Sequence, residues 1–284
     1  MSVEHYENFP VASVLCPAAL RPAVTAIYWF ARTADDLADE GDATAESRLG
    51  DLQAYEADLL AAAGEGPPSQ RWPGVFEGLR PVLAQFKLPL NLLTDLLSAF
   101  RQDVVKHRYA DRAELIDYCR RSANPIGRLL LHLYGVDASA ALRQSDDICT
   151  ALQLANFWQD ISVDTGRGRV YVPEADGRRH GLCSEAWWRG PESPAKRALV
   201  TDLVSWARDL MLNGAPLVHA VPGRAGWELR LVVQGGLRIL EKTDARNSSP
   251  FAQRPAMRWT DMPLLLWRAL WMRAPRPLPA SETP

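Results

Sequence analysis

An all-α single domain is the fold class this 284-residue sequence predicts, on three observations. Apolar residues recur at helical spacing along most of the chain. The strict alternation of a half-buried strand is nearly absent. Two aspartate pairs, Asp35/Asp39 and Asp160/Asp164, each with i, i+4 spacing, lie in otherwise apolar, helix-forming segments. On a helix that spacing leaves two side chains within about 40° of each other around the axis.

Periodicity predicts helices over 18–39, 45–63, 75–85, 89–105, 112–134, 138–162, 195–219, 225–243 and 261–272. In the fifth, Pro125 should introduce a kink. In the sixth, Ser145 followed by Asp146 and Asp147 reads as an acidic helix start rather than a metal site. Gly64 to Gly74 and Asp244 to Pro255 read as exposed loops, and 274–284 as a Pro-rich disordered tail. No composition shift marks a boundary, so residues 1–273 are expected to form one domain.

Apolar content of 47% suits a substantial core, and a formal charge of −2 gives no global field favouring nucleic acid. Five scattered histidines and four cysteines without a CxxC motif offer no zinc-ligand spacing. Reduced core thiols in a cytoplasmic protein are the expectation for Cys16, Cys119, Cys149 and Cys183. The N-terminus does not read as a signal peptide, and no run reaches the ~18–20 apolar residues of a membrane span. The segment 262–272 is expected as a core helix, with a membrane-surface helix as the alternative. No P-loop or GxGxxG follows a strand, and no Ser/His/Asp or Cys/His arrangement stands out.

Like charges at i, i+4 destabilise an isolated helix by about 0.2–0.5 kcal/mol, so a chain that does this twice implies a cation. Hard oxygen ligands in ones and twos suit Mg²⁺, which keeps waters and bridges to phosphate oxygens. Tyr28 and Arg32 share the face of Asp35 and Asp39, placing a phosphate-binding guanidinium beside the carboxylates. Gln153, Asn156, Asp160 and Asp164 form a polar stripe on an apolar helix, and buried polar groups need partners. Arg167 and Arg169 follow on a Gly-rich loop that could close over an anion. A solvated acidic face with an internal Arg–Asp pair is the plainer explanation of the first segment.

These motifs, the segment Gly168-Arg169-Val170-Tyr171-Val172-Pro173 and the Asp103, Tyr109, Leu115, Tyr118-Cys119 spacing together resemble the squalene/phytoene synthase family, from about Glu7 to Lys242. The resemblance implies an isoprenoid-synthase helical bundle around a central cavity. It implies Mg²⁺-diphosphate binding by Asp35, Asp39, Asp160 and Asp164, and a reaction site lined by Ser13, Tyr28, Arg32, Gln153 and Asn156. Arg169 and Tyr171 would belong to a closing flap. Arg121 stands where squalene synthases, as aligned, carry a catalytic tyrosine, which counts against the joining of two farnesyl diphosphates. With Glu7-Asn8-Phe9-Pro10-Val11-Ala12-Ser13 and Ser145 to Asn156, the chain resembles the bacterial hopanoid-cluster branch. That likeness implies conversion of presqualene diphosphate to hydroxysqualene without NADPH. The residues themselves suggest the hypothesis that the polar Arg121–Asn124 segment positions the capturing water and that the faces of Tyr28 and Trp158 help stabilise the cation.

Within the same family, the alternative is a head-to-head prenyl transferase making presqualene diphosphate, squalene or phytoene. Outside enzymes, it is a catalytically dead scaffold of the same fold. A terpene cyclase is disfavoured because the Gln153–Asp164 stripe lacks that group's metal triad. The implied partners are an isoprenoid diphosphate, a presqualene diphosphate synthase upstream and a squalene-forming enzyme downstream. Peripheral contact with the inner face of the membrane is a further expectation.

Overall fold

Proline and side-chain caps set most of the helix boundaries in the computed structural model, which describes residues 16–64, 66–183, 187–245 and 249–272. Helix α1 (Arg21–Asp39) begins with Pro22 in its first turn, a position that needs no N–H donor. The Thr44 hydroxyl accepts the Ser47 N–H to start α2 (Ala45–Ala63), and Pro73 opens α3 (Pro73–Phe86). Then come α4 (Leu90–Val105), α5 (Arg112–Ser122), capped by Asp111, and α6 (Asn124–Leu133). The chain continues through α7 (Ser139–Gln159), α8 (Ile161–Gly166) and α9 (Glu174–Arg179). It ends with α10 (Pro194–Gly214), capped by Ser193, α11 (Gly223–Thr243) and α12 (Met262–Leu270). Among the described residues the only β contact is a single parallel bridge between Arg108 and Val170.

Each departure from the sequence reading has a local cause. The span expected as one kinked helix over 112–134 is two helices: Pro125 cannot donate to the residue 121 carbonyl, and the backbone leaves the helix at Ala123 (φ −120°, ψ −48°) before α6 starts with Pro125 in its first turn. The helix expected to run to residue 219 ends at Gly214, two residues before Pro216, and continues as a 3-10 turn over Ala215–His219. The polar stripe is not one helix either: α7 stops at Gln159, and Asp160 (φ −101°, ψ 12°) joins it to α8. The Asp160 N–H still reaches the Asn156 carbonyl and the Asp164 N–H reaches Asp160, so direction is largely kept. Ser145, Asp146 and Asp147 do not start a helix but lie inside α7. There Asp146 accepts two hydrogen bonds from Arg128, at 2.8 and 2.6 Å.

The core runs through three adjoining clusters. One joins α1 to α4 around Phe30, Tyr55 and Phe76. A second joins α4, α5, α7 and α10, and a third joins α7, α10 and α11. Gly214 of α10 lies directly against the backbone of α7. A Cβ built there would sit 2.5 Å from the Gln144 carbonyl oxygen and 2.9 Å from the Ile148 amide nitrogen. Neither backbone atom can swing aside. Gly214→Ala is therefore expected to lower stability by about 1–3 kcal/mol, read as a fall in the thermal midpoint. Four free cysteines are present; Cys16 and Cys119 are buried, whereas Cys183 is exposed rather than in the core. Ser13 and the Pro-rich tail lie outside the described residues.

Candidate active site

Both aspartate motifs fall where helices end. Asp39 is the last residue of α1, and Asp160 is the junction of α7 and α8. Helix ends place carboxylates at the rim of a bundle, within reach of loops from elsewhere in the chain. Arg32 lies inside a fan of its own helix's acids, 3.6 Å from Asp35, 2.7 Å from Asp36 and 2.8 Å from Glu40. Tyr28, one turn earlier, is half-buried and packs edge-on to Trp29.

Arg169 connects the two motifs. Its guanidinium donates to Asp39 Oδ1 at 2.6 Å, while its backbone N–H donates to the Asp164 carbonyl at 2.8 Å. Arg167 Nη1 adds a weaker contact to Asp39 at 3.6 Å. Gly168 makes the turn between these arginines with φ +82°, a conformation other residues resist. The segment that follows is strapped down rather than loose. Val170 N–H bonds the His107 carbonyl, and those of Glu174 and Ala175 bond Tyr109 and Ala110.

On the second motif, Asn156 Nδ2 donates to Asp160 Oδ2 at 2.8 Å. Arg254, in the connection from α11 to α12, closes on the same carboxylate through Nε and Nη2. Gln153 sits half-buried one turn before Asn156. Asp164 is pushed up to about 7 by burial and by the charge of Asp160, against the pull of Arg169 and Arg167.

The aromatic wall beside this carboxylate group was not assigned as a unit from sequence. Tyr171 stacks on Phe157 at 3.8 Å and 7° between planes, with Tyr109 and Tyr118 at 5.7 and 6.2 Å. Burial raises the hydroxyl pKa of Tyr171 and Tyr118, so both stay neutral. Trp158 meets the wall only edge-on, 6.5 Å from Phe157, and is fully buried against Trp206 of α10.

Asp103 on α4 had been noted for its spacing but given no role. It is buried, accepts the Tyr118 hydroxyl on Oδ2 at 2.8 Å, and has no hydrogen-bond partner on Oδ1. With Asp39, Arg48, His107 and Arg169 it lines a polar pocket of about 150 Å³. Burial, and then the charges of Asp35 and Asp39, raise its pKa to about 7 against Tyr118 and Arg169. Arg254 was also missed, since a lone arginine in a loop carries no spacing signal.

Asn124 lies at the start of α6, buried, with Oδ1 accepting the Thr150 hydroxyl at 3.0 Å. Thr150 is one turn before Gln153, which ties Asn124 to the polar face of α7. Arg121 is held by Ser98 at 2.9 Å, Gln102 at 2.7 Å and Asp117 at 3.1 Å.

Among the described residues no three His, Cys, Asp or Glu side chains converge on one metal position. The donors are all-oxygen and arrive in ones and twos, an arrangement that fits Mg²⁺ completed by water and phosphate rather than a caged or soft metal. Beside these donors Asp103 Oδ1 is buried without a hydrogen-bond partner, and Asp164 is raised first by burial and then by the charge of Asp160.

Comparison with known proteins identifies the family. The squalene/phytoene synthase family profile matches residues 3–262. A hydroxysqualene synthase of Rhodopseudomonas palustris is 34% identical over 250 residues, covering 87% of this chain and 82% of that protein. The solved structure of a squalene synthase from Alicyclobacillus acidocaldarius superposes with a TM-score of 0.75 at 39% identity, covering 83% of this chain and 87% of that one. A dehydrosqualene synthase structure shares the fold, with a TM-score of 0.78 at 21% identity over 93% and 89% of the two chains. The two aspartate motifs, the arginine that joins them and a match over nearly the whole length lead to one assignment: the chain belongs to the squalene/phytoene synthase family.

Proposed function

We propose that this chain converts presqualene diphosphate and water to hydroxysqualene and diphosphate. The observation that carries the reading is Arg169, whose guanidinium bonds the Asp39 carboxylate of the first motif while its backbone N–H bonds the Asp164 carbonyl of the second, two residues before Tyr171 of the aromatic wall. Asp35, Asp39, Asp160 and Asp164 would hold Mg²⁺, which when bound supplies positive charge to the leaving diphosphate. Arg32 and Arg169 exchange their carboxylate partners for diphosphate oxygens as the substrate enters. The cyclopropylcarbinyl C–O bond breaks with its electron pair leaving on diphosphate, where these guanidiniums stabilise the developing charge. The rings of Tyr171, Phe157 and Tyr109 would offer a rearranging cation apolar, electron-rich surface with little water. Water then adds to the cation and a proton departs, so no reductant is consumed.

In this reading Asn124, whose Oδ1 accepts from Thr150, would orient that water, and Arg121, held by Ser98, Gln102 and Asp117, would keep the polar segment before it in place. In Asn124→Leu the share of alcohol among the products should fall by about tenfold as elimination products replace it, the size of a lost hydrogen bond to a reacting water. An unchanged product profile would remove Asn124 from this role.

Hydroxysqualene synthase is the name of a relative matched over most of the chain, and Arg121 in place of a phenol argues against the preceding condensation. Presqualene diphosphate or squalene synthesis from farnesyl diphosphate is the second reading, favoured by the squalene synthase structural neighbour. The deciding experiment is a product assay on the purified chain. It is incubated with Mg²⁺ and either farnesyl or presqualene diphosphate, with and without NADPH, and products are identified by mass spectrometry. Hydroxysqualene from presqualene diphosphate, indifferent to NADPH, is the expected result. Consumption of farnesyl diphosphate alone would transfer the assignment to the condensing step.

A further inference from the structure

Helix α12 is apolar on both its inward and its outward face. Leu265 and Ala269 face inward, while Met262, Pro263, Leu266, Trp267, Leu270 and Trp271 are exposed, at i, i+1, i+4, i+5, i+8 and i+9. That is one continuous stripe without a charge. Trp259, just before the helix, is 86% exposed, and Trp267 and Trp271 are each 61% exposed. Soluble proteins seldom leave so contiguous an apolar patch bare, and such patches mark interaction sites. The sequence expectation of a core helix holds only for its inner face.

The chemistry of the patch indicates what covers it. Three tryptophans are an enrichment typical of the membrane–water interface, where an indole ring is apolar in body and polar at N–H. Arginines border the stripe. Arg258 precedes it, Arg268 flanks it while paired with Glu241 of α11, and Arg230 of α11 bonds the Ala269 and Met272 carbonyls while stacking on the exposed Trp227. The sole acid between Arg258 and Met272 is Asp261, which is buried and bound by Arg238 and Lys242. In sequence, Arg273 and Arg276 follow directly. No described helix is long and apolar enough to cross a membrane, so a face of this kind lies on a bilayer rather than in it.

We infer that the α12 face, with Trp259, Trp267 and Trp271 as its anchors, docks on the surface of an anionic lipid bilayer. The test is vesicle flotation of the full chain, without substrate or metal, so its result does not depend on the reaction proposed above. Vesicles of phosphatidylglycerol with phosphatidylcholine are compared with phosphatidylcholine alone. The wild-type chain should float with the anionic vesicles and bind the neutral ones more weakly. The combined Trp259→Ser, Trp267→Ser, Trp271→Ser variant should lose about tenfold or more in partitioning, with unchanged circular dichroism. Should that variant not fold, quenching of wild-type tryptophan fluorescence by brominated acyl chains in the anionic vesicles gives the same answer. Several findings would each overturn the inference: a wild-type chain that stays unbound, a folded variant that floats equally, or no quenching. A wild-type dimer that the variant splits into monomers would also overturn it, by giving the face to a second copy of the chain.

Discussion

Asp39→Asn and Asp160→Asn should each cut turnover of the diphosphate substrate by about two to three orders of magnitude, the usual effect of removing a charge that acts on the leaving group. Both proteins should stay folded. Asp39 is part-exposed and its partners are two arginines, one of them largely in solvent. Asp160 trades an ion pair with the half-exposed Arg254 for a neutral amide that still bonds Asn156. Pairs of this kind are worth roughly 0–1 kcal/mol, so the thermal midpoint should hardly move. A binding readout separates a lost metal site from a lost catalytic step. In the wild-type chain, Mg²⁺ with inorganic diphosphate should raise the thermal midpoint, and in either variant that rise should largely vanish. Full activity in either variant would defeat the assignment of these carboxylates to the metal.

The contrast between what the sequence announced and what it hid follows from the range of each interaction. Asp35 and Asp39 were legible as neighbours because α1 itself determines their proximity. Asp160 and Asp164 were read on one helix, whereas Asp160 is the junction of α7 and α8. The turn at Gly168 was legible from its glycine. The Pro125 and Pro216 boundaries were under-read: each proline was given a kink or none, where the missing N–H ends the α-helix. Helix α9 is six residues long, too short to show a period. The role of Arg254 on Asp160 depends on 94 residues of intervening chain, and nothing in its neighbourhood signals the contact. Trp158 shows the opposite error, since an aromatic beside a polar stripe looks site-facing until the α7–α10 packing claims it. The inward face of α12 was legible as apolar, but apolar content on both faces could not tell which side would be left bare.

Asp103→Asn should stabilise the protein at alkaline pH while weakening catalysis. The buried carboxyl titrates near 7, chiefly from burial, against 3.8 for an ordinary aspartate. Between these values the folded protein holds a proton that the unfolded chain has released. Stability contributed by this group is therefore fully present below about 4 and is lost as pH rises through about 7. An asparagine keeps an oxygen for the Tyr118 hydroxyl and never ionises. Its advantage over wild type should be near zero at pH 4 and reach roughly 2–4 kcal/mol at pH 8. Asp164 titrates in the same range but is common to both proteins, so the difference between their stability–pH curves isolates Asp103. Denaturant melts across that range supply the measurement. An equal gain at both ends would mean that packing, not charge, drives it, and no gain at pH 8 would mean that the carboxylate is better compensated than its unpaired Oδ1 implies. If catalysis also falls, the chain is holding a costly charge beside Arg169 because the site uses it, a trade between stability and activity expected where cationic ligands arrive only with substrate.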